Sequence, residues 1–239
     1  MVELQGDPDD LRELSLSFNQ GDVAISREGE KYLLKSSRFE PTLTPEQIQS
    51  EAKNIVTLLT GASRLALGSR QPIRVSGAYK ERDDGRPPAI YLFLEPAIAR
   101  AQVGNPTVII KNTDGSIETY YPADPMKDWI SIALTDEAVA TAFRIISTAP
   151  FDWVNLYRIY EVIDADAGGL DAIAAAGWAT KDAIRLFKRT SNHPGALGTE
   201  ARHGALATQP PPKPMDLSEA RSLVSSILHG WLRSKTNCP

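Results

Sequence analysis

Pro122-Ala123-Asp124-Pro125 parts this chain of 239 residues into two halves of different texture. Before it, apolar and polar residues alternate at period two in short runs. After it, apolar residues return every three or four positions. The fold class that follows is α+β: an N-terminal antiparallel sheet with one long helix over residues 1–122, then a C-terminal all-helical bundle over residues 126–239.

Working back from the boundary, residues 117–121 and 107–110 read as a hairpin around the Asn112-Thr113-Asp114-Gly115 turn signal. Residues 73–79 and 89–94 read as strands joined through an exposed tip at 81–88. Upstream, Thr44 caps a helix with Pro45 in its first turn, where the missing N–H costs nothing, and Gly61 marks its end. Residues 2–5, 14–18 and 23–25 alternate at period two and predict an antiparallel meander, to which residues 32–34 add a further strand.

Working forward, Thr135 ahead of Asp136 and Glu137 signals a cap with acids in the first turn. Val139, Phe143 and Ile146 follow on one face until Pro150. Asp152 caps the next helix, with Leu156, Ile159, Tyr160 and Ile163 as its stripe. Residues 170–176 read as a short helix. Thr180 caps a segment with Ile184 and Phe187 inward and Lys181, Arg185, Lys188 and Arg189 outward. The run Gln209-Pro210-Pro211-Pro212-Lys213-Pro214 forbids helix and reads as an extended connector. Asp216 and Glu219 stand at capping-box spacing before a last helix with Leu217, Ala220, Val224, Ile227, Leu228 and Trp231 on one face.

Hydrophobic content of 42% and charged content of 23% suit a globular chain with a proper core. No run approaches the roughly 18 apolar residues of a membrane span, and the acidic first ten residues carry no apolar signal core. A cytoplasmic location with no membrane partner is expected. Cys238 stands alone, which excludes an internal disulfide or a thiolate metal cluster. Residues 1–179 sum to −9, whereas residues 180–239 sum to +5. A basic end of this kind attracts a polyanion such as RNA, although a solvated helix face beside an acidic neighbour gives the same count.

The basic end holds Asn192-His193-Pro194-Gly195-Ala196-Leu197-Gly198-Thr199-Glu200-Ala201-Arg202-His203-Gly204, with two of the three histidines. Metal-free RNA cleavage needs a base to activate the ribose 2′-hydroxyl and a cation to hold the phosphorane charge. His203 or His193 and Arg202 have the right types, and Asn192 completes the candidate set. A second reading has these as loop residues bonding helix ends, with Arg202 paired to Glu200 or Asp216. Gly195-Ala196-Leu197-Gly198 lacks the lysine and hydroxyl of a phosphate loop. Asp164 and Asp166 lack the carboxylate spacing of a calcium loop. His229 reads as a surface or bundle residue, and Trp153 and Trp231 as core. No cofactor or metal is expected.

A helix-breaking segment with Arg202-His203 between two helices resembles HEPN domains, all-helical modules many of which cut RNA. The likeness spans residues from about 135 onward. Arg202 and His203 match the family's arginine and its polar neighbour, while Ala207, Thr208 and Gln209 stand where the motif's histidine would fall. The resemblance implies a metal-independent endoribonuclease of bacterial defence or toxin type, acting on RNA as a homodimer, with the N-terminal half meeting a protein partner. The alternative is a non-catalytic interaction or assembly module built on a degenerate HEPN-like bundle.

Overall fold

The computed structural model describes residues 1–40, 42–80, 89–92, 108–111, 117–120, 125–205 and 207–236. The expected boundary at 122–124, the tip at 81–88, the turn at 112–115 and Cys238 lie outside the described residues. The chain forms two compact units, Met1–Leu134 and Thr135–Pro239. The first is sheet and helix and the second is helical, so the fold is α+β.

The first unit runs β1 (Val2–Gln5), α1 (Pro8–Ser17), β2 (Val23–Glu28), β3 (Lys31–Ser36), α2 (Pro45–Ala66), β4 (Arg74–Lys80), β5 (Ala89–Leu92), β6 (Val108–Lys111), β7 (Ile117–Tyr120) and α3 (Met126–Ala133). Five strands pair antiparallel in the order β2-β3-β1-β4-β5, and β6 pairs with β7. The first strand is thus central, which corrects the expected meander: β1 takes β3 on one side and β4 on the other. Val2, Leu4, Ile25, Leu34 and Val75 supply the buried side of the sheet, and α2 packs on β4.

Residues 14–18 do not form a strand. Asp7 caps a helix there, its carboxylate accepting from the amides of Asp9 at 3.0 Å and Asp10 at 3.3 Å, with Pro8 in the first turn. Leu11, Leu14 and Phe18 recur at three and four and are buried, whereas Leu16, which gave the period-two impression, is 50% exposed. The long helix begins with a capping box between Thr44 and Gln47 but continues through Gly61 to Ala66. A mid-helix glycine costs about 1 kcal/mol relative to alanine. The buried run Ile55, Val56, Leu58, Leu59 and Ala62 outweighs that.

The second unit runs α4 (Glu137–Thr148), α5 (Trp153–Ala167), α6 (Leu170–Ala175), α7 (Lys181–Asn192), α8 (Pro194–Leu197), a 3-10 turn at Gly198–Glu200 and α9 (Leu217–Thr236). Helix α4 is capped by Asp136 rather than Thr135. The Asp136 carboxylate reaches the amides of Ala138 at 2.9 Å and Val139 at 3.1 Å. Asp152 and Thr180 cap α5 and α7, and Asp216 and Glu219 exchange the two bonds of a capping box. Helix α5 packs against α4, α6, α7 and α9. Phe187 of α7 meets Trp153, Tyr157 and Tyr160 of α5 at centroid distances of 6.3, 5.9 and 5.8 Å. Gly230 lets α9 approach Trp178, since a Cβ there would lie 2.5 Å from the indole ring. Among the described residues no helix is long and apolar enough to cross a membrane.

The ends of the second unit are joined by Lys235, whose Nζ lies 2.7 Å from Asp136 and 2.8 Å from Asp166. The Trp231 indole N–H donates to Asp166 at 2.7 Å. Burial pulls the Asp136 carboxyl up, but the Lys235 hydrogen bond and the α4 amides outweigh it and hold the group below its ordinary value. Burial pulls Lys235 down, and the two carboxylates outweigh it and hold the ammonium above its ordinary value. Asp136 therefore stabilises the fold above an unfolded-state value of about 3.9, and that contribution is lost as pH falls through its lower folded value. Lys235 contributes fully below about 10.4 and loses its contribution as pH rises through its higher folded value. A Lys235→Met variant is expected to melt lower at neutral pH. It should also lose less melting temperature than wild type between about pH 4 and about pH 2; parallel acid limbs would show that the cluster contributes nothing.

A fragment of residues 135–239 keeps Asp136, Asp166 and Lys235 together with the α5 aromatic cluster. It is expected to be helical and to melt cooperatively on its own. Circular dichroism showing a coil would contradict that independence.

Candidate anion-binding site at the end of helix α7

The last turn of α7 closes against its own downstream chain. Thr190 and Ser191 are fully buried, and His193 is 7% exposed. The Thr190 hydroxyl accepts from the Met215 amide at 3.1 Å, and the Ser191 carbonyl accepts from the Arg202 amide at 2.8 Å. His193 supplies the third fastening. Its Nδ1 accepts from the Gly195 amide at 2.9 Å, so that nitrogen carries a lone pair. Its Nε2 then bears the proton and donates to the Thr208 carbonyl at 2.5 Å. A Cβ on Gly195 would stand 3.0 Å from the His193 ring, so glycine is what allows the amide to come so near.

These fastenings shape a cavity of about 290 Å³ lined by Lys188, Arg189, Asn192, His193, His203, Thr208 and Gln209. The structure therefore brings Asn192, His193 and His203 to the lining of one cavity, but it sends the Arg202 side chain elsewhere. The Arg202 guanidinium lies 2.9 Å from Glu161 and over the Tyr157 ring at 4.5 Å, both on α5. Its carboxylate partner is thus neither Glu200 nor Asp216. Chain proximity had suggested those two, yet the α7–α5 packing places Tyr157 and Glu161 where the connector returns. Arg202 and His203 are neighbours in sequence with separate surroundings.

The individual side chains differ in what they have left to offer. Asn192 donates to the Lys188 carbonyl at 2.9 Å, and its Oδ1 is shut off from solvent with no partner among the described residues. Both His193 nitrogens are engaged. His203, the Thr208 hydroxyl and the Gln209 amide are exposed and make no side-chain bond among the described residues. Lys188 sits over the Tyr160 ring at 5.4 Å. Neither Lys188 nor Arg189 meets a carboxylate among the described residues. Further up α7, Lys181 is paired with Asp171 at 2.6 Å and Arg185 with Asp182 at 3.2 Å. On α7, the cations with no carboxylate partner among the described residues are thus the two that line the cavity, and no carboxylate lines it.

Lys188 and Arg189 were legible as an outward basic face, but their part in the cavity was not, because Thr208 and Gln209 opposite them arrive through the connector. Among the described residues no group of three or more His, Cys, Asp or Glu side chains is placed to hold a metal. Against family models, curated proteins and solved structures, the chain gives no match.

His193→Ala leaves the Gly195 N–H and the Thr208 carbonyl without partners, and a loss of about 1–3 kcal/mol in unfolding free energy is expected. Arg202→Ala removes a half-exposed ion pair and a ring contact, for an expected loss of about 1 kcal/mol. Urea titration of both variants checks the ordering; a His193→Ala midpoint equal to wild type would remove the clamp from the account.

Proposed function

We propose that the helical unit is a non-catalytic binding module that recognises RNA through the cavity at the end of α7. The observation that carries this reading is the separation of roles at the candidate site. Cleavage by the motif's own residues asks for a histidine base and the Arg202 cation to act on one phosphate. Here His193 spends both ring nitrogens on the backbone, and Arg202 is committed to Glu161 and Tyr157. What remains open is Lys188, Arg189 and His203 with two neutral donors, a set suited to holding an anion. The likeness to HEPN modules supports RNA as the anion. The absence of the motif's downstream histidine, with Ala207, Thr208 and Gln209 in its place, supports binding without cutting.

With a labelled single-stranded RNA, the full chain is expected to give a retarded complex whose affinity falls steeply as salt rises, at a log–log slope of about −0.7 for each phosphate neutralised. The RNA is expected to be recovered at full length. Shortened RNA with wild type but not with Arg202→Ala or His203→Ala would instead establish the endoribonuclease. No complex at low salt would refute RNA recognition.

A further inference from the structure

The shape of the charge at the α7 cavity says which part of an RNA it fits. A surface that follows a strand needs cations spaced along it, one for each phosphodiester. Helix α7 has four such cations on its outer side, but Asp171 and Asp182 pair with Lys181 and Arg185 and offset part of their charge. The remaining pair, Lys188 and Arg189, opens with His203 on a single concavity of about 290 Å³. The His193 clamp to Thr208 brings the connector's Thr208 and Gln209 to the same cavity.

Resting on the RNA-binding reading, we infer that this cavity captures the terminal phosphate of an RNA strand, a phosphomonoester, rather than its internal phosphodiesters. A phosphomonoester carries about −1.5 to −2 charges at neutral pH and three acceptor oxygens, against one charge for a diester. That charge matches clustered cations with two neutral donors beside them and no carboxylate to repel it. Lys188 and Arg189 supply the charge, and the Thr208 hydroxyl and Gln209 amide supply the remaining donors. The buried Asn192 Oδ1 is out of reach of an oxyanion and does not oppose it. The volume admits a phosphate with its sugar.

The test compares one short single-stranded RNA in three forms, with a 5′-phosphate, with a 3′-phosphate and with hydroxyls at both ends, binding to the full chain by fluorescence anisotropy. A phosphoserine peptide of equal length is the fourth arm. One of the phosphate-ended RNAs is expected to bind roughly tenfold or more tightly than the hydroxyl-ended RNA, the scale of one charge-assisted contact. Arg189→Gln and Lys188→Gln should each abolish that preference, while Arg185→Gln, outside the cavity, should keep it. Arg189 is exposed, so its variant reports binding even if Lys188→Gln disturbs the contact with Tyr160. Equal binding of all three RNAs would overturn the inference and leave RNA recognition standing. No binding of any RNA would remove both. A phosphoserine peptide bound as tightly as phosphorylated RNA would overturn RNA as the source of the phosphate.

Discussion

The imidazole of His193 is the contact on which the described site depends. It ends α7, starts α8 by accepting the Gly195 amide, and holds the chain at Thr208 by donating to its carbonyl. A backbone that leaves a helix and returns to it has many amides and carbonyls to satisfy, and burying them unpaired is expensive. One ring with a donor and an acceptor on opposite sides settles two of them at once. Thr190 and Ser191 settle two more, at Met215 and Arg202. The connector is long and rich in proline and glycine, yet it is fastened at 202, 208 and 215 to one helical turn.

That turn is itself positioned from behind. Phe187, fully buried, faces three aromatic rings of α5. The same α5 surface receives Lys188 on Tyr160 and Arg202 on Tyr157. Aromatic faces draw cations and leave their charge largely available, but Glu161 beside Tyr157 gives Arg202 a counter-ion that Lys188 lacks. Two cations resting on adjacent rings of one helix therefore have different prospects. Arg202 contributes to holding the connector, and Lys188 remains for a ligand.

Much of the fold was legible because local chemistry and packing agree. Thr44, Asp152, Thr180 and the Asp216–Glu219 pair cap the helices that their spacing announces. Where two patterns overlap, the packed one prevails. Leu14, Leu16 and Phe18 alternate like a strand, but Leu11, Leu14 and Phe18 share a helical face, and Asp7 with Pro8 starts that helix. Gly61 reads as a stop until the apolar residues on both sides of it are counted. The central place of β1 was not legible, since strand order depends on pairings between Val2 and both Leu34 and Ala78, far apart in sequence.

The site was legible in its residue types and not in its roles. Asn192, His193 and His203 do meet at one cavity, and sequence proximity was enough to suggest it. What no local pattern carries is the partner of each polar atom. A histidine followed by proline and glycine reads equally as a base or as a helix-starting clamp until the distances to Gly195 and Thr208 are known. An arginine next to a histidine reads as a shared phosphate grip until Glu161, some forty residues upstream, claims it. Catalytic assignment rests on which lone pairs and charges are unspent, and here the spent ones belong to the two residues most suggestive in sequence. The unspent ones, on Lys188 and Arg189, lie on a helix face that sequence alone assigns to solvent. The physical reason is general: ion pairs with Asp171 and Asp182 offset part of the charge on the first half of that face, and their absence further along leaves more of it for a ligand to meet.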